Sequence, residues 1–393
     1  MALDVAAIQR ALAADRLDGW LLYDFHGSNP IAAQLAGLTG GVHMTTRRWY
    51  YLIPADGEPR ALVHAIEKNN LDHLQGTKAV YAGRLQLESG LRQLLAGVRR
   101  VAMEYSPKCA IPYISRVDAG TVEAVRELGV EIVSSGDLVQ RFEATWTAAQ
   151  LASHRAAADA LYRIKDRAFE DAAAALAAGR NQTEYDLQQK MAGWFREEGL
   201  ISDAPPVVAI GANAGNPHYL PTAAQSKAIV PDEVLLLDLW GKTTEPGAVF
   251  ADITWVAVTG NRVPSEPERA FQAVVAARDE AVRTVEDAVS AGRELRGWQV
   301  DRAARQVLEA AGYGSRILHR TGHSLGENVH GNGTHLDDYE THDDRRLLPG
   351  TGFTVEPGLY FENFGVRTEI NVYHGEHEAV VTGPRQARIL TLR

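Results

Sequence analysis

Asp238, Asp252, Glu356 and Glu369 each stand in a run of apolar residues, within LLLDLW, FADITWVAV, GFTVEPGLYF and GVRTEINVY. Such runs read as buried strands, where an unpaired carboxylate is costly. A fifth residue, His323, occupies a glycine-flanked turn, TGHSLG. Carboxylates with one imidazole make an oxygen-rich ligand set suited to hard or borderline divalent cations. Two such cations can generate a hydroxide nucleophile at neutral pH, so the set points to hydrolysis. Taken singly, each residue has a plainer reading. An aspartate ending a strand commonly caps a turn, Glu356 precedes Pro357-Gly358, and loop histidines commonly make structural hydrogen bonds. The grouping of four acids with one histidine outweighs those readings.

The elements that must position these residues follow from periodicity. Up to about residue 147, helical stretches (VAAIQRALAA, HAIEKNNLDHL, LQLESGLRQLLAG, DAGTVEAVRELG) alternate with short strands (GWLLYD, RWYYLIPA, ALVHAI, VRRVAMEY, VEIVSS). This alternation predicts a layered α/β domain over 1–147, with a mixed sheet and helices. It contains no G-x-G-x-x-G after a strand and no P-loop, so a nucleotide role has no support. An Ala-rich helix near 145–178 then opens a second domain, 148–393. A helix from Thr183 to Gly199 follows, with later helices in EPERAFQAVVAARDEAVRTVEDAVSAG and WQVDRAARQVLEAAG. This domain reads as internally duplicated: each half offers helices and then a pair of strands carrying two acids, 238/252 and 356/369. A Gly/Pro-bearing turn lies within each pair (GKTTEPG, PGLYFENFG), so each can fold as a hairpin with both acids on one face.

Composition narrows the class further. The 393 residues carry a formal charge of −10, with 45% hydrophobic and 23% charged residues, ordinary for a globular enzyme. No basic cluster breaks that acidity, which disfavours nucleic acid as a partner. The single cysteine, Cys109, excludes an internal disulfide and a multi-cysteine zinc site, and CAIPY reads as a buried apolar strand or turn. The N-terminal stretch reads as an amphipathic helix rather than a signal peptide, and no run approaches about 18 apolar residues. The expectation is a cytoplasmic protein with no membrane partner.

A rival chemistry resides in Gly322-His323-Ser324-Leu325-Gly326, which fits the G-x-S-x-G elbow of serine α/β-hydrolases. That elbow needs a helix directly after the serine, and ENVHGNGTHLDD is too rich in glycine and turn residues to supply one.

The second domain resembles the pita-bread metallopeptidases, the group of methionine aminopeptidase, aminopeptidase P and prolidase. LLLDLWG…FADITW resembles the first two ligand strands, HRTGHSLGENVH the histidine loop, and LLPGTGFTVEPGLYF with GVRTEINV the two glutamate strands. The resemblance covers about residues 150–393, and the N-terminal α/β domain resembles the prolidase, aminopeptidase P and creatinase branch. It implies an α+β pita-bread catalytic domain with a pseudo-two-fold duplication. It also implies two divalent metal ions, Mn first and Co or Zn as alternatives. Asp238 would chelate one metal, Asp252 and Glu369 would bridge both, and His323 and Glu356 would complete the second. Glu356 would also shuttle the proton from a bridging hydroxide or water to the leaving nitrogen. His218, in GANAGNPHYLPT, and His330 match the family's substrate-binding histidines, and Tyr360 and Arg367 match positions that orient the ligand carboxylates.

The implied activity is that of an Xaa-Pro dipeptidase, acting as a homodimer on small peptides, with an Xaa-Pro aminopeptidase as the alternative. More remote are a metal-free creatinase-like hydrolase and a non-catalytic peptide-binding protein, which would not be expected to keep all five ligands. Two departures from the family pattern stand out. The segment between the aspartates, through GKTTEPGAVF, is a few residues longer than usual, and Gly331 follows His330 where many proline-specific members have an acid.

Overall fold

GWLLYD, apolar up to its final Asp24, and WYYLIP are buried throughout, and they form the centre of a mixed six-stranded sheet. The computed structural model describes residues 3–39 and 44–393, which fall into two units, Met1–Glu143 and Ala144–Arg393. The first unit holds β1 (Gly19–Asp24), β2 (Trp49–Pro54), β3 (Arg60–His64), β4 (Thr77–Tyr81), β5 (Arg100–Met103) and β6 (Glu131–Ser134), in the order β4-β3-β2-β1-β5-β6. The helices are α1 (Val5–Ala14), α2 (Pro30–Leu35), α3 (Arg84–Leu94), α4 (Ala119–Glu127) and the short α5 (Gly136–Val139). Side chains of Asp4, Asn29 and Asp118 accept backbone N–H groups at the starts of α1, α2 and α4.

Two expectations fail here. HAIEKNNLDHL forms only a short 3₁₀ turn at Ala65–Glu67 followed by turns. Asn69, Asn70 and Asp72 favour such turns because their side chains compete for backbone groups. Cys109 is exposed, not buried, in a 3₁₀ turn where its own φ is +55°.

The second unit runs α6 (Ala148–Ala177), α7 (Glu184–Glu197), β7 (Leu200–Ile201), β8 (Val207–Ile210), β9 (Val234–Thr243) and β10 (Ala251–Val258). It continues through α8 (Ser265–Ser290), α9 (Gly297–Ala310), β11 (Ser324–Leu325), β12 (Thr351–Val355), β13 (Gly358–Tyr360), β14 (Gly365–Arg367), β15 (Ile370–His374), β16 (Ala379–Val381) and β17 (Leu390–Thr391). Helix pairs α6/α7 and α8/α9 thus each precede an acid-bearing hairpin. Thr147 with Gln150, and Thr183 with Asp186, close capping boxes on α6 and α7.

β9 and β10 are antiparallel, and their alternation sorts side chains between two cores. Leu235, Leu237, Leu239, Ile253 and Ala257 pack with Ala157, Leu161, Ala168 and Ala172 of α6. Val234, Leu236, Val256 and Val258 pack on the other face with Val274, Ala277 and Ala281 of α8. Farther along that second face, the apolar series gives way to Asp238 and Trp240 on β9, and to Thr254 and Asp252 on β10. One sheet face is therefore core at one end and candidate site at the other.

Candidate active site

On the first hairpin Asp238 pairs with Thr254 and Trp240 with Asp252, so both acids lie diagonally on one face. The second acid pair is built differently from expectation. β12 pairs with β15 and β13 with β14, and the true reversal lies beyond Tyr360 rather than spanning all of PGLYFENFG. The register that joins Val355 to Ile370 and Gly358 to Arg367 sets Glu356 opposite Glu369. Both glutamates fall at a break between strands, not inside them. Pro357 supplies no N–H for the ladder at that point. The diverted backbone finds other partners: the Glu369 N–H donates to the Thr254 carbonyl at 3.2 Å, and the Glu356 N–H to the Thr321 carbonyl at 2.7 Å.

The histidine loop is pinned to β12. The His323 N–H donates to Thr354 Oγ1 at 2.9 Å, and the Thr354 N–H to the His323 carbonyl at 2.8 Å. The His323 ring places Nδ1 at 3.2 Å from the Ser324 carbonyl, which assigns the ring proton to Nδ1. Nε2 then offers its lone pair 3.6 Å from Asp252 Oδ2 and 3.4 Å from Glu356 Oε1. Ligand atoms of Asp252, His323 and Glu369 all lie within 4.8 Å of one another, and all three residues are buried.

The polar accounting at this cluster does not close without a cation. Asp252 Oδ1 and Glu369 Oε1 are buried and have no hydrogen-bond partner among the described residues. Buried Glu104, in the other unit, makes the contrast: it accepts from Trp20 Nε1, Asn29 Nδ2 and Ser135 Oγ. Asp252 and Glu369 are held well above the usual carboxylate range, first by burial and then by neighbouring acids: Asp238 and Glu356 act on Asp252, and Asp252, Glu356 and Asp238 on Glu369. Burial also raises Asp238, with Arg367 pulling against it. Burial pushes Glu356 upward too, but His323, His319, Arg367 and Arg320 outweigh it, so Glu356 stays below its ordinary value. Two bare carboxylate oxygens and an imidazole lone pair converging in a dry site fit a divalent metal.

Around the acids runs a hydrogen-bonded frame. Arg367 is buried; Nη2 pairs with Asp238 Oδ2, Nε donates to Thr254 Oγ1 at 2.9 Å, and Nη1 to the Tyr360 hydroxyl at 3.1 Å. The Thr254 hydroxyl donates to Glu369 Oε2 at 2.7 Å. Tyr360 in turn lies 2.6 Å from His319 Nε2, and His319 Nδ1 lies 2.7 Å from the Arg320 carbonyl. Because Nδ1 must donate to that carbonyl, Nε2 accepts from Tyr360, and burial lowers the His319 pKa.

The two hairpins are tied at Asp252 by Asn371. Its side chain accepts the Asp252 N–H at 3.0 Å and donates to the Asp252 carbonyl, as an opposing strand would. Thr254, His319, Thr354 and Asn371 were not among the sequence candidates. Thr254 and Asn371 stand two residues beyond Asp252 and Glu369, so the strand period alone could have flagged them.

His330 joins the cluster, its ring 4.4 Å from that of His323. Its pKa is pushed down to about 4, by the protein packed around it and then by His323 and Arg320, although the residue is exposed at the surface. His218 is exposed on the loop after β8, and its N–H donates to Asn216 Oδ1 at 3.0 Å. No hydrogen bond joins His218 to the five residues among the described contacts. Ser324 is buried in a two-residue strand with no helix after it, and its Oγ accepts the Gly333 N–H at 3.1 Å. It lacks the exposure a nucleophile elbow requires. The same hydroxyl explains Gly331. A Cβ there would stand 2.9 Å from Ser324 Oγ and 3.0 Å from the Leu325 carbonyl carbon, so this backbone has no room for an acid.

With this geometry in view, the relatives are informative. Residues 154–376 match the model of metallopeptidase family M24. The chain belongs to this family. It is 32% identical over 175 residues to an Xaa-Pro dipeptidase of Lactobacillus helveticus, covering 44% of this chain and 43% of that protein. It is 30% identical over 255 residues to the Mycobacterium bovis protein named "Probable dipeptidase PepE", covering 64% and 62%. The matches thus span less than two thirds of either relative. The crystal structure of dipeptidase PepE from Mycobacterium ulcerans superposes with a TM-score of 0.72 at 22% identity, over 99% of this chain and 96% of that one. The fold is accordingly the pita-bread fold with an N-terminal α/β domain.

Proposed function

We propose that this protein hydrolyses the imide bond of Xaa-Pro dipeptides at a centre of two divalent metal ions held by Asp238, Asp252, His323, Glu356 and Glu369. The observation that carries the proposal is the pair of buried, unpartnered oxygens on Asp252 and Glu369 beside the free lone pair of His323. Bound there, divalent cations would supply Lewis acidity toward the scissile carbonyl and ionise a water near neutral pH. The chain's own groups do the rest. Glu356 accepts the proton of the attacking water and returns it to the proline nitrogen as that nitrogen leaves. His330, kept neutral, and His218 donate hydrogen bonds to the carbonyl oxygen or the peptide backbone. Arg367, Thr254 and Asn371 fix the carboxylates so that they need not reorganise during the reaction.

An Xaa-Pro bond lacks the N–H that strand-binding proteases grip, and the proline ring fixes φ. A site that attacks the carbonyl directly does not need that donor. The name of the Lactobacillus relative supports the dipeptide preference. Manganese as the native metal, a homodimeric assembly and a cytoplasmic location complete the reading; they rest on the resemblance, on the ligand chemistry and, for location, on the single cysteine. No helix among the described residues is long and apolar enough to cross a membrane.

The dipeptide assignment is tested by comparing Gly-Pro with Gly-Pro-Ala under one metal. The tripeptide is expected to have a kcat/KM at least about tenfold lower, because the group that receives the proline carboxylate loses a charged hydrogen bond. Equal or better cleavage of the tripeptide would replace the dipeptidase by an Xaa-Pro aminopeptidase.

A further inference from the structure

The longer segment between the aspartates has a structural consequence. β9 continues past its register with β10, and Lys242 and Thr243 pair with Ile201 and Leu200 of β7. The chain leaving β7 then carries Asp203 to Trp240, whose Nε1–H donates to Asp203 Oδ1 at 2.6 Å. Trp240 is the direct cross-strand partner of Asp252 and alternates with Asp238 along β9. Its side chain therefore rises from the same face as the candidate ligands. Asp203 is exposed, and its carboxylate makes no other hydrogen bond or ion pair among the described residues. The adjacent cation on this face, Lys242, donates instead to the Glu327 carbonyl at 2.6 Å.

We infer that Asp203 is an anionic subsite at the rim of the active site, binding an ammonium group on the N-terminal residue of the substrate. The inference rests on the peptidase reading above and deepens it. In a peptide whose first carbonyl is attacked, the α-nitrogen is only two bonds from the reacting carbon. A carboxylate held by the indole of the cross-strand partner of Asp252 is placed to sense whether that nitrogen is charged. An acylated or internal peptide bond brings no such cation and leaves the carboxylate without its partner, so the subsite selects for free N-termini. A basic side chain on the first residue could supply the same chemistry.

Asp203→Asn isolates the charge, because the amide oxygen can still accept from Trp240. The metal-loaded variant and wild type would be assayed on Ala-Pro, N-acetyl-Ala-Pro and Lys-Pro. For Ala-Pro, KM is expected to rise about two- to fivefold with a much smaller change in kcat, the size expected of one rim ion pair. N-acetyl-Ala-Pro should be handled alike by both proteins. A KM increase confined to Lys-Pro would assign the side-chain ammonium as the ligand. Trp240→Phe, which releases the carboxylate from its donor, should act in the same direction as Asp203→Asn. The inference is overturned if Asp203→Asn alters Ala-Pro and N-acetyl-Ala-Pro equally, or alters none of the substrates. If no metal supports Xaa-Pro turnover, the peptidase reading fails on its own. Calorimetric binding of Ala-Pro and N-acetyl-Ala-Pro then decides the subsite. A preference for the free amine that disappears in Asp203→Asn upholds it, and no preference in wild type overturns it.

Discussion

Glu356→Gln is expected to lower kcat for Gly-Pro by roughly 100- to 10,000-fold, the range for loss of a general acid–base group. Glutamine keeps the volume and can still accept from Thr354 Oγ1, which lies 3.1 Å from Glu356 Oε1. It cannot take up a proton from water. Of the four acids, Glu356 alone is held below its ordinary value, against the pull of burial, by His323, His319, Arg367 and Arg320. Steady-state kinetics with circular dichroism as a fold control would check this. Turnover near the wild-type level in a folded variant would remove Glu356 from the proton path.

Arg367→Leu is expected to cost about 3–5 kcal/mol of unfolding free energy in metal-free protein, because a buried charge network loses its cation. The guanidinium serves Asp238, Thr254 and Tyr360 at once, and Thr254 in turn orients Glu369. Without it Asp238, already raised, would move further above its ordinary value of 3.8. A folded-state carboxylate pKa above the unfolded one means that the folded protein holds more protons, so stability falls as pH rises through that interval. The deficit of the variant should therefore widen with pH. Urea unfolding of both proteins in chelator, at several pH values, measures it. A variant as stable as wild type at neutral pH would show that the frame does not depend on Arg367.

Much of this centre was legible because strands alternate and ligands cluster. Asp238 and Asp252 sit in apolar runs that remain strands in the structure, and period two puts them on one face. The placement of Glu356 and Glu369 differs from the expectation. Their runs read as continuous strands, yet Pro357 breaks the ladder and the acids occupy the gap. The supports were harder to read. His319 and Asn371 act through hydrogen bonds to residues distant in sequence, Tyr360 and Asp252, and nothing local marks such partners. Asp203 left no motif at all; its placement depends on the extra length of β9 and on one indole. In the first unit, α2 had a readable start in Asn29-Pro30, whereas β4 is an exposed edge strand whose pattern carries little burial signal.

The central claim is that hydrolysis depends on metal ions held by the five residues. It is tested most directly by following Gly-Pro hydrolysis through complete chelation and re-addition of Mn(II), with bound metal counted at each stage. Activity should vanish with the metal and return as up to two ions bind per chain. Undiminished hydrolysis by the fully metal-free protein would contradict it.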